Sequence, residues 1–346
     1  MSAACSTGIL EKELEKHSAW AESSLARFLA GPQRRARYHP LIADIYDSIC
    51  EFALRGGKRI ASFTVALVCR GYGFRDPDAL AVACDAVELY RHSILIHDDL
   101  VDGDEARRGG PTLNRKYAEL RDDRLGLGCS VFGGNIAFCL SLSRVLGSDL
   151  GNDLAIAIVG EMTKAYSDVN ESQALDLWME GADVDLRTWR LMASRRAASL
   201  FRATLRIGGL LSGAHRDLEL LGKAGEQMGF AFDIQDDIID VFSAAREYGR
   251  QPGSDLKTLK RPLHVVLALR NASGDQLAAL RSSKTSLKTF RAVLRDAGAV
   301  DGARKIAARH AGRALRLIER TGMDRDAKDL FASLMSYMGR SLQWYV

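Results

Sequence analysis

The sequence predicts an all-α protein, and three features support that fold class. Only six prolines occur among 346 residues, and none lies between Pro111 and Pro252. Because a proline inside a helix costs about 3 kcal/mol, so long a proline-free span is typical of long helices. Apolar residues recur at helical spacing, as in Ala79, Val82 and Ala86. No alternating run of apolar and polar residues is long enough to predict a strand.

Composition indicates a globular chain with a large core. Hydrophobic residues make up 47% of the chain and charged residues 27%, which is ordinary for a soluble globular protein. The sequence contains no repeat and no low-complexity linker. We therefore predict one domain over residues 1–346, built as a helical bundle, with about the first 20 residues loosely held.

Charge and cysteine content exclude several classes of protein. The formal net charge is only +4, and acidic residues are mixed with the basic ones, so no nucleic-acid surface is expected. Six cysteines form no CxxC pair and lie mostly in apolar helical runs, which favours a reducing cytoplasm over a disulfide framework. The first 20 residues carry charges where a signal peptide needs an apolar core. We expect no stretch long enough to span a membrane.

An acidic motif ends one apolar helical run. Asp98, Asp99 and Asp102 lie at positions i, i+1 and i+4, so on a helix Asp98 and Asp102 share one face. Like charges at that spacing weaken a helix by a few tenths of a kcal/mol, so folding gives little reason for them. Carboxylates so placed suit Mg²⁺, which binds one or two of them together with waters and substrate phosphates. Taken alone, the motif could equally be a charged helix end that faces water.

A second acidic motif has the same spacing. Asp236, Asp237 and Asp240 again follow an apolar helical stretch. Two matching clusters in one chain predict two walls of a single metal–diphosphate site.

Two glycine turns carry cations. In Gly56-Gly57-Lys58-Arg59, backbone NH groups and the two cations are suited to hold a phosphate. In the second turn, Arg107 and Arg108 precede a Gly-Gly-Pro sequence, and the arginine fork binds phosphate oxygens bidentately. Either turn by itself is also compatible with a polar surface loop.

The order of these motifs resembles that of the trans-isoprenyl diphosphate synthases, the polyprenyl synthetases, from about Gly56 to Lys260. The resemblance implies a helical bundle of the isoprenoid synthase type around a deep central cavity, and a homodimer. It also implies three Mg²⁺ ions, which grip an allylic diphosphate. Their ligands would be Asp98, Asp102, Asp236 and Asp240.

The resemblance further implies two groups of site residues. The catalytic group comprises Asp98, Asp99, Asp102, Arg107, Arg196, Asp236, Asp237, Asp240 and Lys260. The substrate-binding group comprises Lys58, Arg59, His92, Arg107, Arg108, Gln173 and Asp233, of which Lys58, Arg59, His92 and Arg108 would hold isopentenyl diphosphate. Asp176 and Asp255 match further polar positions of the family.

Two positions depart from the family pattern. Arg196-Ala197 stands where the family usually has Lys-Thr, and Asp233 stands where it usually has Gln. Arginine is not equivalent to lysine at a phosphate, because its planar fork replaces a point charge. These departures put the usual regiochemistry, rate or substrate in doubt, though not the binding of diphosphate.

The helix that leads to Asp98 is a candidate ruler for product length. Tyr90, Ser93 and Ile94 lie eight, five and four residues before it. In the family, a bulky aromatic five residues before this aspartate stops growth near C15, and Ser93 leaves that position open. Tyr90 is about one turn deeper, and a turn of 5.4 Å is roughly one isoprene unit. This predicts a C20 product, geranylgeranyl diphosphate.

The predicted function is therefore that of a chain-elongating prenyltransferase that condenses isopentenyl diphosphate with an allylic diphosphate. Two alternatives stay open. One is a cyclase or atypical coupling enzyme of the same fold, which the two departures would suit. The other is a non-catalytic partner subunit.

Overall fold

The structure, a computed structural model, describes residues 3–35, 38–242 and 253–340. Over these residues the predicted all-α class is confirmed, because strands are limited to one short antiparallel pair. The first elements are α1 (Ala3–Arg35), α2 (Pro40–Leu54), α3 (Ile60–Gly71), α4 (Pro77–Asp102), β1 (Ala106–Arg107), β2 (Gly110–Pro111), α5 (Leu113–Leu120), α6 (Asp123–Leu146) and α7 (Asn152–Met179). They are followed by α8 (Leu186–Ala193), α9 (Ala197–Leu211), α10 (Leu218–Phe242), α11 (Ser254–Lys257), α12 (Leu263–Asn271), α13 (Gly274–Leu280), α14 (Leu287–Asp296), α15 (Ala299–Glu319) and α16 (Arg325–Arg340).

The described residues form two compact units. The first contains the chain up to Met162 together with Ile207–His215. The second contains Thr163–Arg206 and the chain from Arg216 onward. The first aspartate motif belongs to the first unit, and the second motif belongs to the second.

Helix α4 is the centre of the first unit and packs against α1, α3 and α6. It begins after Asp76, whose side chain accepts hydrogen bonds of 3.0 Å from the backbone of Asp78 and Ala79. Such a cap satisfies NH groups that the first turn leaves without a partner. The helix ends at Gly103, which adopts the left-handed conformation with φ of 67°. The first aspartate motif therefore occupies the last turn of a buried helix.

Helix α1 is held more firmly than the sequence suggests. Leu10 and Leu14 are completely or almost completely buried. Farther along, Nε2 of His17 lies 2.8 Å from Oγ of Ser62. The expectation of a loosely held N-terminus therefore differs from the structure, in which α1 packs on the first unit from its second turn onward.

Helix α6 corrects another expectation. By length and composition it could cross a membrane, although 44% of its most apolar stretch is buried in the chain itself. The buried core helix of a soluble protein passes the same test. The sequence-based expectation of no apolar run of this length was therefore wrong for Asp123–Leu146.

The second unit is organised around α10, which packs against α12, α14, α15 and α16. Phe230, Ile234 and Ile238 lie in its core. A close approach of α9 depends on Gly229, where a Cβ atom would lie only 2.4 Å from Cα of Ala198. Because that space is left empty, the start of α9 lies directly beside the part of α10 that carries the second aspartate motif.

Candidate active site

The first aspartate motif is joined to an arginine that follows it in the chain. Nε of Arg107 donates a hydrogen bond to Oδ1 of Asp99, and its Nη2 lies 3.4 Å from Oδ2 of Asp98 and 3.4 Å from Oδ2 of Asp104. The short pair β1–β2 turns the chain back and brings Arg107 to the end of α4. The structure thus brings Arg107, one of the predicted site residues, into contact with the first aspartate motif.

Asp99 is the buried member of the first motif. Its side chain is 1% exposed, and its Oδ2 has no hydrogen-bond partner. Burial raises the pKa of Asp99 to about 7, and the opposing attraction of Arg107 does not cancel that shift. An unpartnered buried carboxylate oxygen costs free energy, so a ligand that approaches this end of α4 would relieve that cost.

Mg²⁺ fits this donor set when a diphosphate accompanies it. Asp98 and Asp102 are partly exposed and one helical turn apart. In the part of the chain that the structure describes, no three His, Cys, Asp or Glu residues lie close enough to form a metal centre by themselves. Mg²⁺ typically takes one or two carboxylates plus waters and substrate phosphates. The residues present therefore suit an ion that arrives together with a substrate.

Arg59, predicted to hold isopentenyl diphosphate, lies inside the first unit. Its side chain is 1% exposed and donates to Oε2 of Glu88 at 3.1 Å, to the carbonyl of Ala53 at 2.8 Å and to Oε1 of Glu22 at 3.3 Å. Its backbone is in the left-handed region with φ of 49°. These bonds hold the glycine turn in shape, and the contact of Arg59 with isopentenyl diphosphate stays a prediction.

His92 is also enclosed. Its Nδ1 donates to the carbonyl of Glu88 at 2.6 Å, and its Nε2 lies 3.4 Å from Nη1 of Arg59. Burial, with the charge of Arg59 adding to it, holds the pKa of His92 well below its usual range. A neutral imidazole of this kind accepts from Arg59 and orders the same network. The role of His92 in binding isopentenyl diphosphate stays a prediction.

Arg108 lies over the glycine turn as predicted. Its Nη1 donates to the carbonyls of Arg55 at 3.1 Å and of Gly56 at 2.7 Å. A Cβ atom at Gly57 would lie 2.9 Å from Cζ of Arg108, so this position leaves room only for glycine. The turn and the arginine therefore form one packed unit.

A further cation, which the sequence did not single out, faces Arg108. Burial and the repulsion of Arg91 and Arg59 lower the pKa of Arg108 to about 9. Arg91 immediately precedes His92 on α4, and the only sequence signal was its charge in an apolar run. A group of cations that repel one another at close range is suited to bind an anion with several charges.

The two departures from the family pattern in the second unit are partners of each other. Nε and Nη2 of Arg196 donate to the two carboxylate oxygens of Asp233 at 2.8 and 2.9 Å. The same Nη2 lies 3.1 Å from both oxygens of Asp237. Asp233 and Asp237 are one turn apart on α10, and the arginine bridges them. No comparable partner for Ala197 emerges from the structure.

The remaining predicted residues of the second unit lie around this bridge. Oδ1 of Asp240 accepts from Oγ of Ser254 at 3.0 Å, which joins the late Gly-Ser-Asp motif to the second aspartate motif. Nζ of Lys260 lies 3.5 Å from Oδ2 of Asp176. Asp236 and Gln173 are partly exposed.

The predicted ruler residues line one stretch of α4. Tyr90 is 2% exposed, Ser93 is fully buried and Ile94 is partly exposed. The ring of Tyr90 lies 6.2 Å, between centroids, from that of Phe138 on α6. Phe138 was not predicted, because nothing in the sequence shows which residue of another helix faces Tyr90.

Comparison with known proteins defines the class to which this fold and these motifs belong. The polyprenyl synthetase family matches residues 40–296. The geranylfarnesyl diphosphate synthase of Aeropyrum pernix is 29% identical over 82% of this chain and 90% of its own length. The farnesyl diphosphate synthase of Escherichia coli is 29% identical over 80% of this chain and 91% of its own length.

Solved structures show the same fold. The geranylgeranyl pyrophosphate synthase of Corynebacterium glutamicum, complexed with isoprenyl diphosphate and magnesium, superposes with a TM-score of 0.89. The match is 21% identical and covers 94% of this chain and 99% of that chain. The chain belongs to the polyprenyl synthetase family and is a prenyltransferase.

Proposed function

We propose that the chain condenses isopentenyl diphosphate with an allylic diphosphate and releases a prenyl diphosphate five carbons longer. The observation that carries this proposal is the cation group of Arg59, Arg91 and Arg108, whose charges repel one another beside the glycine turn. Arg107, by contrast, is bonded to the first aspartate motif. An enzyme that only ionised one diphosphate would need the aspartate motifs but would have no use for this second anion-binding group.

In the proposed mechanism, Mg²⁺ ions would supply positive charge to the allylic leaving group when bound. Asp98 and Asp102 would be the ligands in the first motif, and Asp236 and Asp240 would be the ligands in the second. Arg107 donates to the diphosphate oxygens as the allylic C–O bond breaks, where such donors have most effect. Lys58, Arg91 and Arg108 fix isopentenyl diphosphate so that its double bond forms the new C–C bond. The pyrophosphate released accepts the proton that the product cation loses.

Product analysis with and without the second substrate tests this function. Purified protein would be incubated with Mg²⁺ and geranyl or farnesyl diphosphate, in the presence or absence of isopentenyl diphosphate. We expect elongation only when isopentenyl diphosphate is present. A hydrocarbon formed without it would favour the cyclase alternative, which the ion pair between Arg196 and Asp233 keeps open. A chain with no turnover at all would act as a partner subunit.

We further propose a C20 product, with Tyr90 as the floor that stops chain growth. Ser93 is small, and Tyr90 lies one turn deeper on the same side of α4, supported by Phe138. The Tyr90→Ala variant should make products longer by one or more C5 units, as seen by chromatography after dephosphorylation. Tyr38→Ala, which removes an exposed tyrosine that precedes α2, is the matched control and should leave the product unchanged. An unchanged product from Tyr90→Ala would exclude Tyr90 as the floor.

A homodimer completes the proposal. Helix α6 carries three large apolar side chains, Leu127, Phe132 and Leu146, that are 55%, 64% and 59% exposed. Large exposed apolar side chains of this kind are commonly covered by a second subunit. Sedimentation analysis should give twice the chain mass of 37.9 kDa, and Phe132→Glu should shift the protein toward monomers.

A cytoplasmic location is also proposed, and it agrees with the buried free thiols of Cys50, Cys69 and Cys84.

A further inference from the structure

A positively charged side chain, Arg196, is paired with the second aspartate motif. The fork of Arg196 is held on one edge by Asp233 through two nearly parallel hydrogen bonds. This bidentate geometry is the strongest that arginine makes with a carboxylate. Asp233 is 5% exposed and the side chain of Arg196 is 19% exposed, so water screens the pair only weakly. The arginine is therefore fixed in place before any substrate arrives.

The fixed guanidinium of Arg196 bonds to Asp237, the central aspartate of the motif. Its Nη2 is 3.1 Å from each oxygen of Asp237, so neither oxygen of that carboxylate is left without a cationic donor. A metal ion that bound Asp237 would have to share it with a positive charge or displace that charge. At such distances like charges repel by several kcal/mol even in a partly screened protein environment.

Two cations offset part of the negative charge in this cluster. Arg196 and Lys260 pair with Asp176, Asp233 and Asp237, while the charges of Asp236 and Asp255 also reach Asp237. The cluster stays net negative, but a free Mg²⁺ ion would meet Asp237 only beside a bound guanidinium. A substrate diphosphate brings further negative charge and oxygen ligands, and so strengthens the attraction.

We propose that Arg196, oriented by Asp233, is an internal counter-ion of the second aspartate motif that prevents Mg²⁺ from binding there until a diphosphate is present. The proposal rests on the proposed function for the identity of that diphosphate. Arg196 is a positioning residue in this scheme, because it acts on Asp237 and not on the reacting atoms. The two departures from the family pattern thus form one device, in which Asp233 holds the arginine that replaces lysine.

Metal binding without substrate tests this proposal directly. In Arg196→Gln/Asp233→Asn the ion pair is removed at constant net charge and similar shape, and only Asp237 loses its cationic donor. Binding of Mg²⁺ would be measured by calorimetry, and binding of Mn²⁺ by electron paramagnetic resonance, both without diphosphate. We expect the double variant to bind metal about tenfold more tightly than the wild type, because repulsion at Asp237 is lost.

A neighbouring ion pair supplies the matched control. Arg195 and Glu171 pair at 2.9 Å, but their side chains are 35% and 61% exposed, and they make no contact with Asp237 in the described structure. Arg195→Gln/Glu171→Gln should keep the wild-type metal affinity. Arg196→Lys/Asp233→Gln, which restores the usual family pair, keeps a cation and loses one negative charge, so it should bind metal without diphosphate no more tightly than the wild type.

The outcome that would overturn the proposal is equal metal affinity in the wild type and in Arg196→Gln/Asp233→Asn. A second contradicting outcome is loss of metal-free pyrophosphate binding in the family-pattern variant, since that would make Arg196 a direct ligand of the diphosphate. Circular dichroism of each variant confirms that it is folded. Failure of the proposed function would instead appear as a wild-type protein that does not elongate, whatever its metal affinity.

Discussion

The two aspartate motifs share a spacing but differ in how each is neutralised. In the first, the arginine on the central aspartate comes from eight residues later in the chain, and Oδ2 of Asp99 stays without a partner. In the second, the arginine comes from another helix and covers both oxygens of Asp237, while Asp233 holds it from the other side. In the first motif, one oxygen of Asp99 is thus left without a hydrogen bond from the described residues. In the second motif, both oxygens of Asp237 already bond to an arginine of the chain.

This difference shows that equal sequence motifs need not carry equal roles. A half-satisfied buried carboxylate favours a bound cation or donor, whereas a carboxylate already bonded to arginine has less to gain from one. We therefore infer that the first motif meets metal and substrate first, and that the second responds to the diphosphate.

The largest effect is expected at the first motif. Arg107→Gln keeps a polar side chain but removes the charge that donates to Asp98 and Asp99. Loss of one preorganised donor to a developing anion typically costs about a hundredfold in kcat, and we expect that loss here in steady-state elongation. Arg115→Gln, which removes an exposed arginine paired with Glu119 on α5, should stay within twofold of wild type. A kcat for Arg107→Gln within threefold of wild type would refute the role of Arg107.

A smaller effect is expected at an arginine-paired aspartate for which no metal is proposed. Asp85 on α4 is 1% exposed, and its Oδ2 accepts from Nε of Arg144 at 3.0 Å. Burial raises its pKa to about 6, against the attraction of Arg144. The folded chain then binds this proton more tightly than the unfolded chain does. The free energy of unfolding should therefore fall as pH rises from about 4 through about 6, by about 1–2 kcal/mol.

Urea unfolding at pH 4.5 and pH 7 measures this change. Asp85→Asn cannot ionise and should reduce the dependence by about 1–2 kcal/mol, whereas Asp78→Asn, at an exposed position of the same helix, should not. Asp99, whose pKa is also raised, contributes to the dependence that remains. Mg²⁺ should leave the difference between the wild type and Asp85→Asn unchanged. The same dependence in Asp85→Asn as in the wild type would assign all of it to other groups.

The smallest effect is expected at helix α1, which supports the glycine turn of the first unit. Oε1 of Glu22 accepts from Nη2 of Arg59, and Oγ of Ser18 donates to the carbonyl of Gly57 at 2.7 Å. Glu22→Gln should loosen the turn and raise KM for isopentenyl diphosphate about threefold, with kcat nearly unchanged, because only one partly exposed ion pair is lost. Glu13→Gln, which breaks the more exposed pair with Arg70, is the control. An effect on melting temperature alone would mean that Glu22 has no part in substrate binding.

The sequence predicted the helical class because proline-free, periodic stretches leave few alternatives. It also singled out the aspartate motifs and the arginines near them, since charged residues within apolar stretches can be recognised from the sequence alone. It did not show that Arg59 and His92 point inward, because the direction of a side chain depends on Glu88, which lies 29 residues beyond Arg59. It missed Arg91 and Phe138 for the same reason: their roles come from facing residues on other helices.

Metal binding by a chain that lacks the first motif tests the contrast between the two motifs most directly. Mn²⁺ would be titrated into the wild type and into Asp98→Ala/Asp102→Ala, first without and then with inorganic pyrophosphate. We predict weak binding by the substrate-free wild type and none by the variant until pyrophosphate is added. Equal binding of Mn²⁺ by both proteins without pyrophosphate would show that the second motif takes metal unaided, and would contradict this account.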